Sequence, residues 1–538
     1  MTLTTATASD GPDLMALTLI LGDQLHSDWW SPSPLQLRPS DRVLMIEDLA
    51  VASSYRYHKL RLLHTFVAMR SFRDALLAHG LVVDYFELPA SAGVSFWQRL
   101  ATALTGHQEL QVAEIADRSF EARLEQFCQE RALPLTVLPS PAFLESVAES
   151  RAWFEGRRRP LMKSFYERQR RRLGLLLEAD GSPTGGRWSF DADNRRRLPK
   201  DYQEPSLPAV PASPHEPEVR VLIARHFADH PGELGQLWIP FDHTGARSWL
   251  QQFLAERLDD FGPYEDALSR SHATLHHSLL SPLLNLGLLT PAEVIDATLR
   301  QQQSRLQAGQ PHSGQPQSGQ PQSGKPPNGK PLPIASLEGF LRQLIGWREF
   351  VRGIDRVYGE RQASSNFWNH HRLLAPCWND GSSGLPPLDT AIQRVNRLGY
   401  NHHIERLMVI SNLMLLCEIQ PREVQRWFME RYLDSYEWVM GPNVYGMGQM
   451  SDGGIFATKP YICGSNYILK MGDFKRGPWC EIWDGLYWRF IERHRDFFRA
   501  NPRLSMMVSL LDRIEPARRQ SLAAAAETFL ARATMVPS

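Results

Sequence analysis

The sequence predicts two joined units: an N-terminal α/β domain on a doubly wound parallel sheet, and a large all-α domain behind it. Three observations carry this. The first 140 residues alternate short apolar runs with stretches of helical periodicity. From about residue 218 the apolar spacing is almost wholly helical. Between them lies a polar, Arg-rich connector.

TLILGDQL (18–25) and VLMIED (43–48) are apolar runs bounded by turn residues and predict strands. Residues 58–79 space their apolar side chains for a helix, and LVVDYFEL (81–88) predicts the next strand. A helix near 95–106, a strand at 110–116, a helix at 119–131 and a strand at 134–138 complete the rhythm. No G-x-G-x-x-G is present, so the usual dinucleotide fingerprint is absent. Ligands on such sheets still bind at strand C-terminal ends, where Asp23, Gln24 and Glu47 stand. Capping or turn chemistry is the plainer reading of all three.

The connector holds RRRP (157–160), ERQRRRLG (167–174) and TGGRWSFDADNRRRLP (184–199). Helices are expected at 217–228, 245–258, 292–307, 336–354, 388–398, 402–417, 421–435, 481–499 and 513–533. A Gly/Pro/Gln pentapeptide repeat interrupts them, and a flexible insertion over 307–333 is expected. The expected domains are 15–142 (α/β), 143–215 (connector) and 216–535 (helical).

The chain has 538 residues, 43% hydrophobic and 22% charged, with a formal net charge of +0. No global field draws it to polyanions, so a nucleic-acid site would have to be a local patch. Five dispersed cysteines form no C-x-x-C, which excludes a zinc ribbon and suggests a reducing compartment. MTLTTATASDGPD lacks a basic n-region and an apolar core, and no stretch reaches 18 uninterrupted apolar residues. The expectation is a cytoplasmic protein with no membrane contact. The 15 tryptophans read as a Trp-rich core or as a site for a planar ligand or electron transfer.

GYNHHIERLMV (399–409) places His402 and His403 at a helix start. Adjacent helical residues point about 100° apart. Neither histidine has a ligand at i+4, so no metal site is expected. SLEGFLRQLIGWREFVRG (336–353) leaves Gln343, Trp347, Arg348 and Glu349 available to a ligand. HATLHHSLLSPLLNLGLLTP (272–291) offers Ser278, Ser281 and Asn285 near a helix start, an arrangement suited to phosphate. Residues 421–454 supply Trp427, Asp434, Glu437 and Asn443, and residues 457–477 add Lys459, Tyr461 and Tyr467.

Taken together, LILGDQL, GGRWSFDADNR, EGFLRQLIGWREFVRG, YNHHIERLM, TKPYICGSNYI and LYW, in this order, resemble the photolyase/cryptochrome superfamily. The nearest likeness is the prokaryotic (6-4) photolyase and iron–sulfur cryptochrome branch. The resemblance implies an antenna domain, a connector and a helical domain holding FAD. It implies FAD contacts from Tyr264, His277, Ser278, Ser281, Asn285, Gln343, Trp347, Glu349, Glu437 and Asn443, with Arg406 and Asp434 as an ion pair beside the flavin. Trp427 and Trp378 match electron-transfer aromatics, and Phe428 stands where some relatives have Tyr. His403 matches the histidine that works on the (6-4) lesion, with His402 beside it. Tyr461 and Tyr467 match the lesion pocket, and Asp23 and Glu47 match contacts to a 6,7-dimethyl-8-ribityllumazine antenna.

The implied activity is light-driven (6-4) repair of UV-damaged DNA, by a nucleoid-associated monomer. A histidine that titrates near neutrality suits the proton step, and the damaged base must leave the duplex. The alternative is a blue-light receptor using the same flavin. One departure is plain. The family's cluster takes four cysteines; Pro387, Lys475 and Pro478 stand at or beside those positions, and Cys480 alone lies near the fourth. No iron–sulfur cluster is expected, with Lys475 a candidate for a substituting salt bridge.

Overall fold

A computed structural model describes residues 16–88, 93–308 and 330–536; most of the repeat insertion lies outside the described residues. Five strands, β1 (Ala16–Leu19), β2 (Arg42–Ile46), β3 (Val82–Phe86), β4 (Glu109–Ala113) and β5 (Leu135–Leu138), form one sheet. Its order is β3-β2-β1-β4-β5 and every pairing is parallel. Alternate residues feed opposite faces. Leu17, Leu19, Leu44 and Val112 pack with Leu100 and Phe127 on one side. Ile20, Val43 and Met45 pack with Leu63, Phe66 and Phe72 of helix Lys59–Ala78 on the other. This two-sided burial is why the strands read as continuous apolar runs. The strand order reverses between β1 and β4, and Gln24 ties that switch point shut by donating to the Ala113 carbonyl at 3.0 Å.

The expected boundary at 216 is not a break in packing. Helices Glu216–His226 and His243–Glu256 share an apolar core with helix Lys59–Ala78, and that core continues to Leu283 and Phe340. Ion pairs also cross the junction: Arg118 to Asp355 at 2.9 Å and Arg352 to Glu114 at 3.1 Å. The connector, expected as a polar, basic stretch, carries helices Val147–Phe154 and Met162–Leu173. Their Phe154, Phe165 and Tyr166 are buried under a dense surface of arginines. Helix Glu349–Ser364 lies so close to the first that a Cβ at Gly353 would sit 1.9 Å from Phe154.

Candidate functional site

Three short π-helical stretches, Arg342–Arg348, Glu405–Ser411 and Pro442–Gly448, interrupt the α-helices of the second domain. A π turn takes one extra residue and re-aims side chains, and such turns gather at functional sites. Here each carries expected flavin residues: Gln343 and Trp347, then Arg406, then Asn443. The last two meet where Gly448 crosses Ser411; a Cβ there would lie 2.2 Å from the Ser411 hydroxyl.

Arg406 grips Asp434 through two hydrogen bonds, at 2.9 and 3.2 Å. Ser281 donates to the same carboxylate at 2.6 Å, and Asn285 donates to the Asp434 backbone carbonyl at 2.9 Å. Ser281 and Asn285, on the six-residue helix Ser281–Leu286, are thus bound into the ion-pair cluster. The Asn285 side-chain oxygen in turn accepts from Arg348 at 2.6 Å. Arg348 finds only carbonyl oxygens besides, from Ala142 and Leu284, and burial pushes its guanidinium down to about 10. The Glu349 carboxylate opposes that shift and the Arg352 charge adds to it.

A second wall is aromatic. His277 stacks on His402, with ring centroids 4.7 Å apart and planes within 10°. Tyr264 stacks on His276 at 5.6 Å. Gln343 donates to Glu265 at 3.0 Å, and burial raises that carboxyl to about 7. His402 is 1% exposed and neither of its ring nitrogens has a hydrogen-bond partner. Burial, then neighbouring His277, holds it well below the ordinary histidine range, so it stays neutral.

His403 behaves differently. It opens the helix with its side chain exposed, while burial by surrounding protein and the Arg406 charge lower its pKa to about 4. Of the pair, His403 is thus the exposed member. Asp191 is the opposing, raising influence. The same Asp191 acts on Tyr461, and Arg195 acts on both Tyr461 and Tyr467, two half-buried tyrosines whose pKa values are raised chiefly by burial. Asp191 and Arg195 come from the connector, in SFDADNRRR.

The Trp427 indole donates to the backbone carbonyl of Trp378 at 2.9 Å, and both rings are buried. Tyr432 lies 6.1 Å from Trp427, and its ring faces the Arg406 guanidinium at 3.9 Å. An aromatic path therefore leads from the Arg406–Asp434 pair to Trp427.

Comparison with known proteins fits this arrangement. Residues 18–238 match the family model for deoxyribodipyrimidine photo-lyase-related protein, and residues 340–466 match the FAD binding domain of DNA photolyase. The chain is 33% identical to a (6-4) photolyase of Agrobacterium fabrum over 531 residues, covering 96% of this chain and 99% of that protein. The chain belongs to the photolyase/cryptochrome superfamily, in its prokaryotic (6-4) branch. Among solved structures, a bacterial class III photolyase from Agrobacterium tumefaciens shares the fold at TM-score 0.51 and 17% identity, covering 98% and 99% of the two chains. A Synechocystis cryptochrome does so at TM-score 0.53 and 14% identity, covering 96% and 99%.

The photolyase frame sorts the expected residues. Those that fit a flavin dinucleotide converge. Arg348 adds a buried cation, His276, His277 and Tyr202 hold buried polar atoms without partners, and His277 stacks on His402 ahead of the second π stretch. Trp347 stacks on Phe456 at 5.8 Å, the Asn443 amide donates to Val439, and Ser278 lies half-buried in the loop before helix Ser281–Leu286. Four expectations need correction. Glu349 turns to the connector, where its carboxylate accepts from the Leu144 amide at 2.9 Å. Glu437 lies at the junction with the α/β domain, accepting from the Tyr55 hydroxyl near Asp117 and Asp355. Glu47 is an internal hub. It takes two hydrogen bonds from Arg70, one from Tyr85 and one from the Leu88 amide, which leaves no free acceptor for a chromophore. His402, just before the helix, packs inward against the His277 ring. Asp23 does stand at the switch point, raised to about 6 by burial and then by Asp117.

Near the expected cluster positions, Trp479 and Trp483 pack edge to face at 5.8 Å, beside buried Cys480. Among the described residues no group of three or more His, Cys, Asp or Glu could hold a metal ion. Lys475 is exposed and makes no ion pair among the described residues, which removes the substituting salt bridge. No described helix is long and apolar enough to cross a membrane. Sequence reasoning missed Asp191, Arg195 and Tyr432; the first two lay inside a matched segment but read as solvated charges.

Proposed function

We propose that this protein is a light-driven (6-4) photolyase that restores pyrimidine (6-4) photoproducts in UV-damaged DNA. The observation that carries the reading is His403: of the histidine pair it alone is exposed, within the field of Asp191 that Tyr461 also feels. Full-length likeness to a (6-4) photolyase supports it. FAD, when bound and reduced, supplies the electron on illumination. The chain does the rest. The Arg406–Asp434 pair, Asn443, Gln343 and Trp347 would hold the flavin, and Arg348 with Ser278 the phosphates. Tyr461 and Tyr467 form apolar walls with polar tips that suit an unstacked base.

His403 delivers the proton that lets a hydroxyl return from one base to the other. In the protein alone it is neutral near pH 7, because its pKa lies at about 4. The charge it needs is favoured once the anionic DNA backbone enters the cleft, since an opposite charge within a few ångströms raises a histidine pKa. Arg195 on the rim offers a phosphate contact. Trp427 and Trp378 serve reduction of the flavin. A lumazine antenna near Asp23 and the lack of a cluster complete the proposal; the Trp479–Trp483 packing supports the latter.

The test illuminates flavin-reduced protein with oligonucleotides carrying either a (6-4) photoproduct or a cyclobutane dimer. Restoration of the first and not the second is expected. Failure on the (6-4) lesion, or repair of the dimer alone, overturns the reading. Absorption, mass and iron analysis of the same preparation reports FAD, antenna and cluster together.

A further inference from the structure

Glu265 takes no part in the function above, yet it is locked into the site. It lies in the turn at 262–266, which is held from both sides. The Gly262 amide donates to the Ser336 hydroxyl at 3.0 Å, and the Arg196 amide donates to the Pro263 carbonyl at 2.9 Å. A Cβ at Gly262 would sit 2.7 Å from the Ser336 backbone nitrogen, so helix Ile334–Leu341 packs directly on the turn. The Glu265 side chain is 17% exposed.

Its two oxygens face two amides. Oε1 accepts from the Gln343 Nε2 at 3.0 Å, and Oε2 accepts from the Asn194 Nδ2 at 2.8 Å. Gln343 also donates to the Gly339 carbonyl at 3.0 Å. Both N–H groups of the Gln343 amide are thereby engaged, and turning it over would set oxygen against oxygen at two places. Its own oxygen accepts from no described residue, so Gln343 offers a ligand an acceptor and no donor. Charges reach Glu265 from three elements. Arg342 lies 3.9 Å away but also contacts Glu338 and Asp191, each at 3.2 Å. Asp266 beside it and Asp191 on the connector oppose its ionisation, and burial, the largest influence, raises it to about 7. A proton on Oε2 would meet the buried Asn194 Oδ1, which has no partner, once that amide reverses. Oε1 stays an acceptor for Gln343 in either state.

We propose that Glu265 is a positioning residue, whose Oε1 holds the Gln343 amide so that the Gln343 carbonyl oxygen receives an imide N–H from the ligand. The isoalloxazine ring carries such a group, and so does the thymine ring of a lesion. The inference rests on the reading above, in which Gln343 borders the flavin. An amide with a free acceptor and no free donor also rejects a ligand edge that turns a carbonyl toward it, because both oxygens would then lack a proton between them.

The experiment uses the full-length protein. One arm reads FAD dissociation, and the other reads dark binding of a (6-4) oligonucleotide to the FAD-loaded protein. Glu265→Met is expected to weaken one of these ligands about tenfold, the effect of one lost hydrogen bond. Weaker FAD binding identifies the flavin imide as the partner; weaker oligonucleotide binding alone identifies the thymine. Gln343→Ala gives the same loss, and the double variant loses no more than either single one. Glu265→Gln, which keeps an oxygen for Gln343, stays close to wild type. Glu265→Asp keeps the charge but is one methylene short, and it shows the loss should Glu265→Met fold poorly. Unchanged affinity for both ligands in Glu265→Met and Glu265→Asp, losses that add to those of Gln343→Ala, or an equal loss in Glu265→Gln overturns the proposal. Wild type that holds FAD but ignores the oligonucleotide counts against the repair reading instead, and the FAD arm then decides the role of Glu265.

Discussion

Asp434→Asn tests whether the Arg406–Asp434 pair anchors the site. The carboxylate accepts two hydrogen bonds from Arg406 and one from Ser281, and the two side chains are only 15% and 8% exposed. Water therefore screens the pair little. Removing one partner of a buried pair costs about 3–5 kcal/mol, because the other charge is left uncompensated. Asparagine keeps one acceptor oxygen, so the lower end, about 3 kcal/mol, is expected. In FAD affinity the same loss is about a hundredfold. The assay is a double-mutant cycle with Arg406→Met, read by urea unfolding of the flavin-free protein and by FAD dissociation. Contacting residues should couple by at least about 1 kcal/mol. Coupling near zero in both readouts would show that the pair neither holds the fold nor the flavin.

Three further outcomes follow from named contacts. DNA carrying the lesion should raise His403 from its pKa of about 4. Because that value lies below the ordinary 6.5, His403 favours the native state above pH 6.5 and loses this contribution as pH falls toward 4. Calorimetry in buffers of different ionisation enthalpy at pH 7 should then show proton uptake on binding that His403→Ala lacks; equal uptake in both rejects the proton-donor role. Trp427→Phe should abolish photoreduction yet retain repair when the flavin is reduced chemically, and loss of both would make Trp427 structural only. Glu47→Gln strands the buried Arg70 guanidinium, leaving it only Glu218 at 2.9 Å and Glu87 at 3.9 Å, both on exposed carboxylates. A loss of about 3 kcal/mol in stability is expected by denaturation, and a change under about 0.5 kcal/mol would deny Glu47 its role as a hub.

All five strands and three of the helices between them were legible in the sequence, because two-sided burial writes continuous apolar runs and helices write a 3.6-residue period; the first strand lies at Ala16–Leu19 rather than 18–25, and the short helix Leu49–Ala52 was not legible. The connector helices were not, since Arg170–Arg172 and their neighbours swamp the three aromatic residues that face inward. The π turns were invisible for a geometric reason: one inserted residue shifts the period without changing composition. That same shift helps explain the mixed fortunes of the site residues. Arg406 and Asp434 met as expected, whereas Glu349 and Glu437, each beside a π stretch, face the connector and the domain junction. Glu47 was placed correctly at a strand end, but its four donors come from helix Lys59–Ala78 and from β3 and the loop after it, which no local pattern announces. Which of His402 and His403 faces inward was not legible, because the helix begins between them.

The most direct test of the central claim compares wild type with His403→Ala on one (6-4) oligonucleotide, with flavin content and dark DNA binding matched. Under blue light the account predicts recovery of the undamaged bases by wild type and none by the variant. Equal repair by both, or repair by neither while the flavin is reduced, would contradict it.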